Sequence, residues 1–282
     1  MLPKPFFDTQ ICELAANGSI PRDQWRHVQE HFECHADYRI SPLTLAEILD
    51  RIHNDPAGKY FNRAQEQLRS LYPLGKRKSF FDFPRYFVPK TIFNKEIPKP
   101  RLLESGFAEC AEIVLWATSR KEVDGDGVAL PFMRGAKIKL NLERFSNEIR
   151  GIRDQYVDRF RFLKGTKIPP PTREQWAAPA LSQIGLADEE SRARLLEALA
   201  ACYQFDCWLW NAAKNHNYDL QENISDLIDA QQLPYLCDPA VIFITNDTDH
   251  KKRLRGNPQG GRIKTFSELM ECIDSGQALL PS

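Results

Sequence analysis

The fold is predicted first from the pattern of residues 240–249, AVIFITNDTD. An apolar run ends on Thr245 and is followed directly by Asn246 and Asp247, which is typical of a short strand buried on both faces. Residues 4–8, KPFFD, show the same pattern near the start of the chain. Both stretches predict parallel strands with an aspartate at the carboxyl end, which is the edge where open parallel sheets bind their ligands.

Helical patterns alternate with these strands. Ser41-Pro42 resembles an N-cap and the first turn of a helix. The apolar stripe that follows it at helical spacing consists of Leu45, Ile48, Leu49 and Ile52. Further helical patterns lie at about 142–163, from about Asp188 onward and at 223–233, and RIKTFSELM (262–270) predicts a short strand leading into a helix. The alternation indicates an α/β protein.

The middle of the chain differs in character from its two ends. Residues 73–101 contain five of the nineteen prolines, and helical patterns without strands follow them. We therefore predict one domain formed by residues 1–75 and 205–282, with residues 76–204 as an inserted, mainly helical section. In such a split domain, Asp8 near the first strand and Asp247 near the last strand are brought together by the fold.

Composition excludes several classes of protein. Lysine plus arginine equals aspartate plus glutamate at 38 each, so no global charge directs the chain to nucleic acid or membrane. The seven cysteines are scattered without a CxxC pair, which suits a reducing compartment, and no long apolar stretch indicates a signal peptide or membrane span. We expect a cytoplasmic protein without a membrane partner. Phosphate-binding loops of the GxxxxGK[ST] type and GxSxG serine nucleophiles are absent from the sequence.

Three further acids have suitable placement for a metal site. Glu47 points away from the apolar stripe of its helix, and Asp226 and Asp229 are neighbours on one helical face. Asp226 has a competing explanation, because Asn223 followed three residues later by an acid resembles a helix-capping arrangement. Carboxylates that converge in a crevice repel one another unless a divalent cation neutralises them.

Four blocks of the sequence resemble those of PIN-domain ribonucleases. The blocks are FFDTQICELA (6–15), RISPLTLAEIL (39–49), NISDLIDAQQLPYL (223–236) and VIFITNDTDHKKRL (241–254). The resemblance covers roughly the first 75 and last 80 residues, and TND after an apolar run is its most specific part. It implies a three-layer parallel sheet flanked by helices, with the inserted helical section outside the resemblance.

The resemblance also implies an activity and a set of site residues. PIN domains cleave RNA with Mg²⁺ or Mn²⁺ held by acids at these block positions, which here are Asp8, Glu47, Asp229 and Asp247. Possible additional site residues are Asp226 and Asp249, with Thr245 as a supporting hydroxyl. An endoribonuclease hydrolysing RNA phosphodiester bonds through metal-activated water is therefore expected.

Other readings of the same residues stay open. The chain can be an inactive PIN-like module that binds RNA or protein, with its acids serving as helix caps, or a different α/β phosphohydrolase acting on small molecules. If it is the toxin of a toxin-antitoxin pair, an antitoxin is a second expected partner besides RNA. The sequence leaves the RNA target and the oligomeric state open.

A basic and aromatic segment offers a surface for RNA. Residues 76–101 hold eight lysines or arginines against two acids, interleaved with six aromatic residues. The basic candidates for phosphate contacts are Lys76, Arg77, Lys78, Arg85 and Lys90. Aromatic faces there can stack on unpaired bases, or the rings can instead fill the core beneath a solvated loop.

Three histidines recur at every fourth position. His27, His31 and His35 lie on one side of a predicted helix, where they can bind a transition metal or form an ordinary, partly exposed face. The sequence completes no fourth ligand for them, so metal binding at this ladder stays open.

Overall fold

The computed structural model describes residues 2–55, 57–72, 80–98, 111–117, 120–124, 132–220 and 222–280. These residues are mostly helical and contain short parallel strands, so the chain has an α/β fold. The chain divides into two compact units. We call the part built from 2–81 and 99–151 the N-terminal unit, and the part built from 82–98 and 152–282 the C-terminal unit.

The labelled elements follow in chain order. The strands are β1 (Lys4–Phe7), β2 (Val241–Ile244) and β3 (Ile263–Lys264). The labelled α-helices are α1 (Thr9–Ala16), α2 (Arg22–His35), α3 (Pro42–His53), α4 (Phe61–Leu71), α5 (Pro84–Phe93), α6 (Arg120–Asp124), α7 (Phe132–Arg161), α8 (Arg173–Gln183), α9 (Glu189–Ala198), α10 (Ala200–Lys214), α11 (Ile224–Gln232), α12 (Thr248–Arg253) and α13 (Phe266–Ser275). Two 3₁₀ segments are Leu233–Cys237 and Pro258–Arg262.

Strand β1 is largely buried in the N-terminal unit. The Asp37 and Arg39 amides donate to Pro3 O and Pro5 O at 2.8 and 2.9 Å, a parallel pattern beside β1. Phe7 is 1% exposed because rings of α2 and of the following segment surround it. Its ring neighbours, with centroids between 5.1 and 5.9 Å away, are Trp25, Phe32 and Tyr38.

Helix α3 begins and packs as its sequence predicts. The Ser41 hydroxyl accepts a hydrogen bond from the Leu43 amide at 3.2 Å, and Pro42 occupies the first turn. All four residues of the predicted apolar stripe are at most 1% exposed. Thr44 joins the helix to β1, because its hydroxyl donates to Phe7 O at 3.0 Å.

Strands β2 and β3 pair in parallel in the C-terminal unit. Phe243 lies opposite Ile263, and Ile244 lies opposite Lys264. All of β2 is buried, which agrees with its continuous apolar run. The Thr245 amide continues the pairing by donating to Lys264 O at 3.0 Å. The predicted strand at AVIFIT and the predicted strand-to-helix step at RIKTFSELM are both confirmed.

The predicted long helix from Asp188 is two helices. Asp188 does cap α9, accepting from the Ser191 amide at 2.7 Å, but the helix ends at Ala198. Leu199, with φ −113° and ψ 28°, separates it from α10. Gln259 occupies this break: its Oε1 accepts from the Ala201 amide at 2.7 Å, and its Nε2 donates to Ala198 O at 2.6 Å. A side chain distant in sequence therefore satisfies backbone groups that a continuous helix would pair internally.

Neither a membrane-spanning helix nor a disulfide occurs among the described residues. Within the described ranges, no helix is both long and apolar enough to cross a membrane. The six cysteines of those ranges are all free of disulfides.

Candidate metal centre

Asp247 stands where the polypeptide leaves β2 and enters α12. Its amide donates to Thr245 Oγ1 at 3.1 Å, and its carboxylate accepts from the Asp249 amide at 2.7 Å, so it is the N-cap of α12. Thr245 is 1% exposed and belongs to the sheet through its own backbone. The hydroxyl predicted to support the site therefore orients the turn that presents Asp247.

Asp229 and His250 approach Asp247 from two helices. Asp229 lies in α11 with its side chain 13% exposed, and His250 lies in α12 and is fully buried. His250 Nε2 is 3.3 Å from Asp229 Oδ2. One ligand atom from each of the three side chains lies within 4.8 Å of the other two. The predicted pair Asp229 and Asp247 is thus brought together within the C-terminal unit.

The electrostatics of Asp229 reflect this crowding. Burial raises the pKa of its carboxyl, and the neighbouring Asp247 carboxylate raises it further, whereas His250 acts in the opposite direction. A second carboxylate beside the desolvated Asp229 carboxyl disfavours the ionised form of Asp229. A bound cation would reverse this effect, because it stabilises the charged forms of both acids.

Asp226 is not part of the cluster. Its carboxylate accepts from Arg253 at 2.6 Å and from the Tyr218 hydroxyl at 2.6 Å. The predicted capping arrangement is also absent, because the Asn223 side chain makes no cap hydrogen bond and donates instead to Asp219 O. Asp226 therefore holds a buried ion pair one helical turn from Asp229.

Asp249 also lies outside the cluster. It is exposed and pairs with Lys252 at 2.7 Å, and that contact lowers the pKa of its carboxyl. Its charge is therefore balanced on the surface of α12.

Asp8 and Glu47 lie in the N-terminal unit. Asp8 is 7% exposed and precedes α1, where its side chain makes no cap hydrogen bond. Glu47 is half-buried in α3 and accepts a hydrogen bond from the Thr9 hydroxyl. Both carboxylates raise the pKa of the buried Cys12 thiol, after burial itself as the largest cause, so both act on the same neighbourhood of that unit. Their convergence with Asp229 and Asp247 stays a prediction.

His250 is the member of the cluster that sequence reasoning missed. The signal was present in TNDTDH, because a histidine three residues after an N-cap aspartate lies on the same side of the first helical turn. Its burial came from elsewhere, since Phe205 of α10 and Phe243 of β2 contact the imidazole with ring centroids at 5.3 and 5.6 Å.

The chemistry of the donor set fits a divalent metal ion. Two carboxylate oxygens and one imidazole nitrogen are common ligands of such ions, and a metal centre of three protein ligands leaves positions open for water or substrate. Asp229, Asp247 and His250 form the one group of three or more histidine, cysteine or acidic side chains with this proximity among the described residues.

Residues 80–98 of the predicted RNA-binding segment lie within the described part of the chain. Phe81, Phe83 and Tyr86 are at most 6% exposed, so these three rings belong to hydrophobic cores and are not available to stack on bases. Arg85 and Lys90 are exposed, whereas the candidates Lys76, Arg77 and Lys78 fall outside the described residues. Phosphate contacts by this segment stay a prediction.

The histidine ladder of α2 is a surface feature. His31 and His35 have ring centroids 4.9 Å apart, and His27 and His35 are exposed. Partial burial lowers the pKa of His31, and the two neighbouring histidines lower it further. The ring nitrogens of these three histidines do not come as close together as the ligand atoms of Asp229, Asp247 and His250.

A groove of about 490 Å³ opens beside the carboxyl-terminal part of α12. Its basic residues are Lys251, Arg255 and Lys264, but Lys251 already pairs with Glu268, and Glu271 also lines the groove. Opposite charges are therefore mixed along it, and no strong anion-attracting field results.

Comparison of the chain with protein-family models, with curated proteins and with solved structures found no match.

Proposed function

We propose that this protein is a metal-dependent ribonuclease with a PIN-like three-layer domain. The observation that carries the proposal is the cluster of Asp229, Asp247 and His250 at the carboxyl end of β2. That edge of a parallel sheet is where catalytic ligands bind in open α/β folds. The four sequence blocks that resemble PIN domains supply the choice of RNA as substrate.

The protein's own residues have separable roles in this proposal. Asp229 and Asp247 would hold Mn²⁺ or Mg²⁺, and Thr245 orients the turn that carries Asp247. When bound, the ion supplies a lowered pKa for coordinated water and stabilises negative charge on the phosphate. Asp8 and Glu47 are proposed as further acids of the same reaction, on the basis of the sequence blocks alone.

The test uses single-stranded RNA, the full chain and substitutions that remove one charge. Asp247→Asn and Asp8→Asn should each lower the cleavage rate by at least about a hundredfold, because each removes a carboxylate that would help to hold the metal ion, and the ion activates water and stabilises the phosphate transition state. Asp158→Asn, an exposed acid of α7, is the matched control and should cleave at the wild-type rate. A chelator should stop cleavage, and Mn²⁺ should restore it.

Two outcomes would contradict the proposal. Full activity in both Asp247→Asn and Asp8→Asn proteins that fold would exclude these acids, and absence of RNA cleavage with either ion would exclude the activity. A parallel screen of small phosphate esters separates an RNA enzyme from a small-molecule phosphohydrolase.

An inactive binding module is the second candidate, and a specific observation favours it. Asp247 already caps α12, and Asp229 already has a polar partner in His250 Nε2 at 3.3 Å, so both acids have structural roles without any metal. This candidate predicts RNA or protein binding that is insensitive to divalent ions, with no heat of metal binding by calorimetry.

A further inference from the structure

We infer that His250 is itself a metal ligand and that it makes the centre selective for a divalent transition-metal ion, represented by Mn²⁺, over Mg²⁺. The inference shares its site with the proposed ribonuclease and rests on that function for the use of the ion. It adds to that function a ligand and a metal preference that the four acids predicted from the sequence do not include.

Packing against aromatic rings fixes the position of the buried His250 imidazole. The imidazole is 0% exposed, stacks on Phe205 with 26° between the ring planes, and meets the edge of Phe243 at 80°. Its Nε2 atom faces Asp229 Oδ2 at 3.3 Å. Two aromatic walls therefore hold the ring in one orientation, which lowers the entropy lost when it binds an ion.

The spacing of the three side chains suits one ion. Ligand atoms around a divalent metal stand about 3 to 4 Å apart, because each metal–ligand bond is about 2.1 Å long. In the cluster, the carboxylate oxygens and the imidazole nitrogen lie within 4.8 Å of one another. A small closure of the side chains would bring one atom of each to bonding distance of a common centre.

Charge balance favours an ion over a simple histidine–aspartate pair. An imidazolium can neutralise one carboxylate, but Asp247 places a second carboxylate in the same cluster. A divalent ion balances both acids while leaving the imidazole neutral, which is the form that ligates metals.

The imidazole determines which ion is preferred. Mg²⁺ favours oxygen ligands and retains several of its waters, whereas first-row transition metals bind imidazole nitrogen more strongly. Mn²⁺ accepts both carboxylate and imidazole donors, so it matches a set of two aspartates and one histidine. A site made of acids alone would lack the nitrogen donor that adds to this preference.

The first experiment measures metal affinity without any substrate. Mn²⁺ and Mg²⁺ are titrated into the metal-free full chain, and wild type is compared with His250→Gln, which supplies an oxygen in place of nitrogen. Wild type should bind Mn²⁺ at least about tenfold more tightly than Mg²⁺, and the substitution should bring the two affinities close together. His216→Gln, an exposed histidine of the same unit, should keep the wild-type preference.

A second measurement avoids the risk that His250→Gln fails to fold. Electron spin echo spectroscopy of Mn²⁺ bound to wild type should show coupling to the ¹⁴N nucleus of a directly coordinated imidazole. That coupling should persist in His216→Gln. Equal affinities for the two ions in wild type, or bound Mn²⁺ without nitrogen coupling, would overturn the inference.

The two proposals fail in distinguishable ways. If RNA is cleaved with Mg²⁺ and bound Mn²⁺ shows no nitrogen coupling, the ribonuclease proposal stands and His250 is rejected as a ligand. Nitrogen-coordinated Mn²⁺ without RNA cleavage under any condition would retain the metal centre and reject the ribonuclease.

Discussion

Arg253 pairs with Asp226, which lies outside the cluster of Asp229, Asp247 and His250. Its guanidinium pairs with the Asp226 carboxylate at 2.6 Å and lies 3.7 Å from the centre of the Trp208 ring. The side chains of Arg253 and Asp226 are only 13% and 9% exposed. Asp226 and Asp229 are the same residue type, so the sequence alone does not show which of them is the better cation ligand. The ion pair does show it, because a carboxylate already neutralised by arginine is a poor cation ligand.

The first prediction concerns this ion pair. Arg253→Met should lower the free energy of unfolding by about 3 kcal/mol, because it leaves the Asp226 carboxylate buried without its cation. The double variant Arg253→Met/Asp226→Asn should recover most of that loss, since the uncompensated charge is gone. Urea unfolding of the metal-free protein measures both values.

Arg255→Met is the control for this comparison, because Arg255 is exposed two residues later in the chain. Its effect should stay within about 0.5 kcal/mol. If the double variant proves no more stable than Arg253→Met alone, the loss comes from packing on Trp208 and not from the charge.

Helix α13 shows how a local pattern alone can determine an element. Thr265 Oγ1 accepts from the Glu268 amide at 3.2 Å, and the Glu268 carboxylate accepts from the Thr265 amide at 2.7 Å. This capping box satisfies amides at both ends of the first turn. The helix ends at Ser275, followed by Gly276 with φ +66°, a left-handed conformation that glycine adopts without strain.

The second prediction tests the cap. Thr265→Ala should lower the free energy of unfolding by about 1 kcal/mol, because the Glu268 amide loses its acceptor, while Thr265→Ser should remain within a few tenths of wild type. Chemical denaturation followed by circular dichroism distinguishes the two. Equal losses in both variants would assign the effect to the threonine methyl group instead of the hydroxyl.

Helices α9 and α10 show the opposite behaviour. The sequence predicts a long helix from about Asp188 onward. The break at Leu199 depends on Gln259, whose amide bonds backbone groups on both sides of it. An element boundary of this kind follows from a tertiary contact, not from propensity.

The chain as a whole interleaves its two units. The C-terminal unit takes residues 82–98 from far upstream, and α5 packs there on the 3₁₀ segment Leu233–Cys237. Tyr235 links the 3₁₀ segment to residues 82–98. It is fully buried, its ring contacts Phe87 with centroids 5.2 Å apart, and its hydroxyl donates to Asp82 O at 3.0 Å.

The third prediction concerns this long-range link. Tyr235→Phe should lower the free energy of unfolding by about 1 kcal/mol, because the ring packing is kept while the hydrogen bond to Asp82 O is lost. Tyr235→Leu should lower it by clearly more, since the contact with Phe87 is also reduced. Denaturant titration gives both values, and equal stability of Tyr235→Phe and wild type would show that water replaces the hydroxyl without loss.

Sequence patterns by themselves determined the elements whose signals are local. The apolar run of β2, the cap and stripe of α3, and the strand-to-helix step at Thr265 are written within about ten neighbouring residues, where periodicity and capping chemistry act directly. The placement of Asp247 after β2 follows from the same local pattern.

Which side chains share the cluster of Asp229, Asp247 and His250 follows from tertiary packing. Asp229 and Asp247 come together from two different elements, whereas Asp226 is neutralised by Arg253 outside the cluster. The rings of Phe205 and Phe243 bury His250. These contacts join residues up to 45 positions apart, and no local period encodes them. The physical reason is that burial and charge pairing depend on which elements pack together, whereas propensity and capping depend only on neighbours along the chain.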